Sequence, residues 1–267
     1  MVNAYQKGKP IVVGIGGHVI KCGLTPLLIH LMEQGLITAL LMNGAPSIHD
    51  FEMALIGRTS EDVAAHLKTG MFGMVKETGE AMNSAIAVGA EAGLGMGESL
   101  GRSLLRLSAP FSDISVLATG VRLGIPLTVH VSIGCDTIHM QPSADGAALG
   151  ATTFTDFRLF RLRWTSVVSV LREFGDGGVY LNIGSAVLLP EVFLKALNLA
   201  RNLAEHPIVN FTTVNMDMIQ HYRPTQNVVK RPTQEGGAGY TLIGHHEIML
   251  PLLVHLVLSE LSNICNV

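Results

Sequence analysis

The sequence predicts an α/β fold, a parallel-sheet Rossmann-like sandwich with helices on both faces. Two observations carry that expectation. Ile11-Val12-Val13 empties into Gly14-Ile15-Gly16-Gly17-His18, a helix opened by Thr25-Pro26 follows, and the apolar run 36–42 empties into Asn43-Gly44-Ala45-Pro46. Strand, glycine turn, helix, strand, glycine turn is the pattern of a βαβ unit. Short apolar runs separated by helical stretches then recur along the chain, as a parallel sheet requires. A single domain of this class suits 267 residues of which 48% are hydrophobic.

The elements follow in order. Residues 1–9 read as a loose arm. Thr59-Ser60-Glu61-Asp62 has capping-box character, so a helix is expected from there to about Lys68. Residues 74–107 read as helix. Gly89, Gly93 and Gly97 recur along one of its faces, each costing about 1 kcal/mol against alanine. A second helix pressed on that bare face, in this subunit or a neighbouring one, would offset the cost. Ser112-Asp113 caps a helix ending near Gly124. Residues 125–133 alternate as a strand and lead into a polar loop, 134–146. Helices are expected over 147–157 and 165–174, a strand over 179–183 ending in Gly184-Ser185-Ala186, a helix from Pro190 to about Leu203, and a strand over 208–214. Residues 217–244 lack periodicity and read as a long loop, a kind of segment that is usually functional. The last helix spans about 247–261.

Composition excludes several partners. The net charge is −3 with both signs interspersed, which argues against a nucleic-acid groove. Cys22, Cys135 and Cys265 are odd in number and far apart, as reduced thiols of a cytoplasmic protein are. The polar start, Met1 to Lys7, has no leader character. The apolar run 248–258 contains Pro251 and His255 and is too short to span a bilayer.

The turns carry a family resemblance. Residues 16–24 (Gly-Gly-His-Val-Ile-Lys-Cys-Gly-Leu), a helix, and residues 41–52 (Leu-Met-Asn-Gly-Ala-Pro-Ser-Ile-His-Asp-Phe-Glu) stand in an order that resembles deoxyhypusine synthase. Ile125-Pro126 with 143–150 resembles that family's Ile-Pro strand and Asp-Gly-Ser loop, and 180–187 resembles its Gly-Gly-Gly-Val turn. The resemblance extends over about residues 10–260. It implies an NAD-binding α/β fold and a homotetramer with sites between paired subunits. One departure bears on chemistry. The family forms an imine on a lysine near its C-terminus, but here 244–251 reads Gly-His-His-Glu-Ile-Met-Leu-Pro and no lysine follows Lys230. Without that covalent partner, hypusine formation is not expected.

Candidate residues follow from the turns and the resemblance. The cofactor is NAD, and its expected contacts are Gly16, Gly17 and His18 on the first turn and Asn43, Gly44 and Ala45 on the second. Asp50 or Glu52 would bind ribose hydroxyls; Asp145 and Gly146 match the family's cofactor loop, and Gly184 and Ser185 its glycine turn. His245, His246 and His139 are the expected acid/base residues. Each position also has a plain reading as a tight turn, helix cap or loop hydrogen bond. The functional expectation is an NAD-binding protein acting on a small amine or amino acid by dehydrogenation-type chemistry, as a homo-oligomer. The alternatives are a non-catalytic oligomeric nucleotide-binding protein and a metal-assisted hydrolase using His130, Asp136 and His139.

Overall fold

The computed structural model describes residues 1–158 and 166–265. Six strands form one sheet: β1 (Ile11–Ile15), β2 (Ala39–Asn43), β3 (Leu127–His130), β4 (Val179–Ile183), β5 (Phe211–Asp217) and β6 (Gly237–Ile243). Their order is β3-β2-β1-β4-β5-β6, and every neighbouring pair is parallel. This is the doubly wound order, whose direction reverses between β1 and β4.

The helices are α1 (Val2–Gln6) before β1, then α2 (Gly17–Lys21) and α3 (Thr25–Glu33) between β1 and β2. Next come α4 (Gly44–Ile56), α5 (Val63–Leu67), α6 (Lys76–Glu91), α7 (Met96–Arg106) and α8 (Val116–Leu123) before β3. They continue with α9 (Gly146–Arg158), α10 (Val167–Leu171), α11 (Leu188–Leu203), α12 (Tyr222–Pro224) and α13 (His246–Cys265). The first residue of the helix expected over 165–174 lies outside the described residues.

Alternation along the buried strands builds a core on each face of the sheet. Ile11, Val13 and Ile15 join Leu28, Leu31, Phe51, Leu100 and Leu117 on one face. Val12, Leu41, Tyr180, Phe174, Phe193 and Phe211 pack on the other. Each such side chain contributes roughly 1.5–3 kcal/mol by leaving water. Tyr180 stacks on Phe193 with centroids 3.9 Å apart and planes 5° apart. A Cβ on Gly14 would stand 2.7 Å from the Tyr180 hydroxyl, so the first glycine of the β1 run makes room for this pair.

Several expectations change. The arm at 1–9 carries α1, with Ala4 buried. Asp62, not Thr59, caps the helix after the capping-box stretch, accepting from Ala65 N at 3.0 Å. The stretch 74–107 is two helices, broken where Gly93 takes φ +68°. Two of the three glycines meet partners in the same chain: a Cβ on Gly89 would strike the Ser99 side chain, and one on Gly97 would lie 2.3 Å from the Leu127 carbonyl, while Gly93 meets nothing within 4 Å among the described residues. The stretch 217–244 contains β6 and a π-helical turn over Thr225–Lys230.

The last helix is longer than the apolar run suggested. α13 reaches Cys265, and by length and composition alone its stretch His246–Ile264 is long and apolar enough to cross a membrane. Leu250, Val254 and Val257 face the core while Ile248, Leu252 and Leu256 are exposed.

The outer edge of β3 is clamped by α9. Asp156, buried there, accepts from Val129 N at 2.8 Å and from Gly97 N at 3.0 Å. Thr153 Oγ1 accepts from Val131 N and donates to the Val129 carbonyl.

Candidate functional site

The carboxyl ends of β1 and β4 meet at the switch point. Gly16 N donates to the Ile183 carbonyl at 2.8 Å. A Cβ on Gly16 would lie 2.1 Å from the Gly184 carbonyl oxygen, and one on Gly184 would lie 2.7 Å from His246 Nε2. Gly184 also holds φ +69°, a left-handed conformation that suits glycine. Asn182 fixes this turn by donating from Nδ2 to the Ser185 carbonyl at 2.9 Å and to Asn215 Oδ1 at 2.8 Å.

His246 is buried over that turn, and its Nδ1 has no hydrogen-bond partner among the described residues. Burial lowers its pKa, partly opposed by the charge of Asp217. His245, one residue earlier, is exposed. Neighbouring helical residues diverge by about 100°, so only one of the two histidines turns inward. His18 is exposed on α2, and after burial its charge is a further cause that lowers the pKa of both His246 and His49. Asn43 ends β2 with its Oδ1 buried and unpartnered among the described residues.

Other candidates hold different posts. Asp50 is fully buried, accepting from Ser115 Oγ at 2.6 Å, Val116 N at 2.9 Å and Leu117 N at 3.1 Å. Its carboxylate therefore serves the start of α8 and is withdrawn from the ribose. Ser185 Oγ accepts from Leu189 N at 3.3 Å, so its hydroxyl serves the first turn of α11. Asp145 is exposed and accepts from Ala147 N and Ala148 N at the start of its own helix. Gly146 has open space where a Cβ would stand, so no close approach demands glycine there. His139 Nδ1 accepts from Gly134 N at 3.2 Å and Asp136 N at 3.4 Å, which ties the ring to its own loop.

The metal alternative finds no ligand set. Among the described residues no three His, Cys, Asp or Glu side chains gather as a metal would need. His130 is buried with Nε2 3.0 Å from Thr128 Oγ1, and burial holds its pKa down to about 3.

A cavity of about 280 Å³ opens beside α4. Lys21, Ala45, His49, Glu52, Phe72 and Asp136 are among its walls. His49 Nδ1 lies 2.7 Å from Thr59 Oγ1, which donates to Glu52 Oε2 at 2.5 Å. Glu52 Oε1 accepts from Thr78 Oγ1 at 3.2 Å. Burial, then Lys21 and His18, lower the His49 pKa to about 4. Burial raises that of Asp136 to about 6. A Cβ on Gly44 would come 1.9 Å from Asp136 Oδ2, so Gly44 is bare because a carboxylate lies against it. Sequence reading groups His49 with the second glycine turn and leaves open whether it serves a ligand or the helix start. Its spacing from Glu52 on one helix face was the available signal.

No family model and no curated protein matches the chain. Solved structures do. A conserved LOR/SDH protein from Methanococcus maripaludis S2 matches at 18% identity and a TM-score of 0.55, over 97% of this chain and 65% of that one. ArgZ, an arginine dihydrolase from the ornithine-ammonia cycle in cyanobacteria, matches at 21% identity and 0.55, over 97% of this chain and 30% of its own. AgrE, crystallised with ornithine and NAD+, matches at 18% identity and 0.55, over 98% of this chain and 32% of its own. The shared property is the fold. The chain spans about two thirds of the first structure and less than a third of the other two.

Proposed function

We propose that the rim where β1 and β4 part binds NAD, and that the protein acts on a small amino acid or amine by dehydrogenation-type chemistry. The observation that carries this reading is a pair of buried polar atoms at the carboxyl rim without partners among the described residues, Asn43 Oδ1 and His246 Nδ1. A ligand bearing hydroxyl and amide donors satisfies such atoms, and burying them unsatisfied costs about 1–3 kcal/mol each. The 16–18 turn would hold the cofactor from the β1 side and the Gly184 turn with His246 from the β4 side. Bound there, NAD supplies a hydride acceptor. His246, kept uncharged by burial, is suited to accept a hydrogen bond or a proton beside it. Support comes from the strand order, since open sheets of this order commonly bind ligands at the switch point, and from the shared fold with AgrE, crystallised with NAD+ and ornithine. The deoxyhypusine synthase resemblance points the same way for the cofactor.

Calorimetric titration with NAD+ tests the reading. Binding is expected, weakened at least tenfold in His246→Ala and several-fold in Asn43→Ala. A protein that neither carries nor binds NAD+ sinks it. Binding without turnover of any amino acid or amine would instead favour the non-catalytic nucleotide-binding alternative.

A further inference from the structure

We propose that the cavity beside α4 is an amino-acid site in which His49 is the proton acceptor, Asp136 seats the ligand's ammonium and Lys21 its carboxylate. The inference rests on the amino-acid reading above and gives it a place and a set of contacts.

The tautomer of His49 follows from the hydrogen bonds behind it. The Thr59 hydroxyl has one proton, and it goes to Glu52 Oε2 at 2.5 Å. The oxygen therefore has only lone pairs to offer His49 Nδ1, 2.7 Å away, so Nδ1 carries the ring proton. The opposite arrangement would leave a carboxylate and a hydroxyl oxygen facing each other with no proton between them. Nε2 keeps its lone pair and makes no hydrogen bond among the described residues. It sits 3.6 Å from the place a Gly17 Cβ would occupy, and His49 lines the cavity. A base held by a second group that is held by a third is a recurrent arrangement for proton transfer.

Asp136 supplies an independent sign of a cationic ligand. Its side chain is 9% exposed, and among the described residues the nearest ionisable nitrogen is His139 Nε2 at 4.0 Å. Burial lowers the pKa of His139, so that ring offers no standing charge at neutral pH. A buried carboxylate without a cation is costly, and an arriving ammonium removes the cost. Lys21 lines the same cavity and provides the opposite charge. Ile48, Val63, Phe72 and Val75 complete the wall and suit an aliphatic side chain. A volume near 280 Å³ lies just below the usual range for drug-sized ligands, which suits something as small as an amino acid.

The step is a proton transfer. One ammonium proton moves to His49 Nε2, leaving a neutral amine and an imidazolium whose Nδ1–H remains on Thr59. Glu52, reached through that hydroxyl, balances the new positive charge. Lys21 is one of the groups holding His49 uncharged. Burial is the larger cause, and a ligand carboxylate on Lys21 would offset the Lys21 part alone.

The test uses the full chain with L-ornithine as probe and NAD+ left out. Calorimetry should find L-ornithine binding weakened at least tenfold by Asp136→Asn and by Lys21→Met. Lys21→Met should leave 1,4-diaminobutane, which lacks the carboxylate, within twofold of wild type. L-ornithine should also slow iodoacetamide alkylation of Cys135 in the unmutated protein, read by peptide mass. Nitrogen NMR of the imidazole should report a bare Nε2 in wild type and a tautomer mixture in Thr59→Val. No binding and no Cys135 protection would overturn the site, even if NAD+ binds. Unchanged affinity in both charge variants would overturn the assigned contacts, and a protonated Nε2 in the neutral wild-type ring would overturn the role of His49. If L-ornithine binds as described while NAD+ does not, the cavity stands and the cofactor reading falls.

Discussion

The β1–β4 junction and the cavity beside α4 are neighbours, with Gly17 set against His49, yet they use glycine differently. At the junction, Gly16 and Gly184 are bare because backbone and the His246 ring occupy the space, and the polar reserve consists of single orphaned atoms. At the cavity, one bare glycine admits the Asp136 carboxylate, and beyond it lies room for a small molecule. A glycine-rich turn after a strand thus marks close approach, and only the surrounding side chains tell whether protein or ligand makes that approach.

Substitutions separate the two regions. The largest effect is expected for Gly16→Ala, whose Cβ would lie 2.1 Å from a backbone oxygen that cannot swing away. Urea unfolding should show a loss of about 3 kcal/mol, with NAD+ binding lost alongside. A stable Gly16→Ala protein would show that the junction opens more easily than its contacts suggest.

Asp50→Ala comes next, at about 2 kcal/mol, because it strips three donors at the start of α8 of their acceptor. It should leave NAD+ affinity unchanged, which checks its removal from the cofactor set.

The pH dependence sharpens the contrast. Burial raises the pKa of Asp136 to about 6, above its unfolded value, so the folded state holds that proton more tightly. Its contribution is complete below about pH 4 and is lost as pH rises through 6. His246 is lowered instead, so its contribution is present above its ordinary value near 6.5 and fades on acidification. Alkali should therefore loosen the cavity wall and acid the junction. Unfolding measured from pH 4 to 8 should show Asp136→Asn flattening the alkaline limb and His246→Gln the acidic one.

The smallest effects are controls. Gly150→Ala, in the interior of α9 with nothing within 4 Å of the new Cβ, should stabilise by roughly 1 kcal/mol. Leu252→Lys, on the exposed face of α13, should change stability by less than about 0.5 kcal/mol. If α13 joins copies of the chain, the same substitution should also reduce the assembly seen by light scattering.

Five strands could be read from the sequence because β1 to β5 carry apolar or alternating runs of the kind buried parallel strands need. β6 could not, since Gly237-Ala238-Gly239 has poor strand propensity and the strand is largely exposed; its ladder to β5 creates it. The strand-to-helix junctions were read to within two or three residues, although Gly14 and Ile15 lie in β1 and Gly44 to Pro46 already in α4. Asp50 was misread because its partners at Ser115 to Leu117 come from more than sixty residues away. The His49–Thr59–Glu52 chain stayed hidden for a related reason. Thr59 looked like part of a helix start, and only the fold of the 57–75 segment turns it back onto α4.

The two margins of the sheet are unequal. On β3, Asp156 and Thr153 already occupy the outward amides, so another strand finds little to bond there. β6 ends the sheet at the other side with Tyr240, Leu242 and Ile243 exposed. Growth of the sheet is therefore one-directional. A peptide captured by strand addition, or a misfolded copy seeding a fibril, would attach at the same border, and a lysine placed there would discourage both.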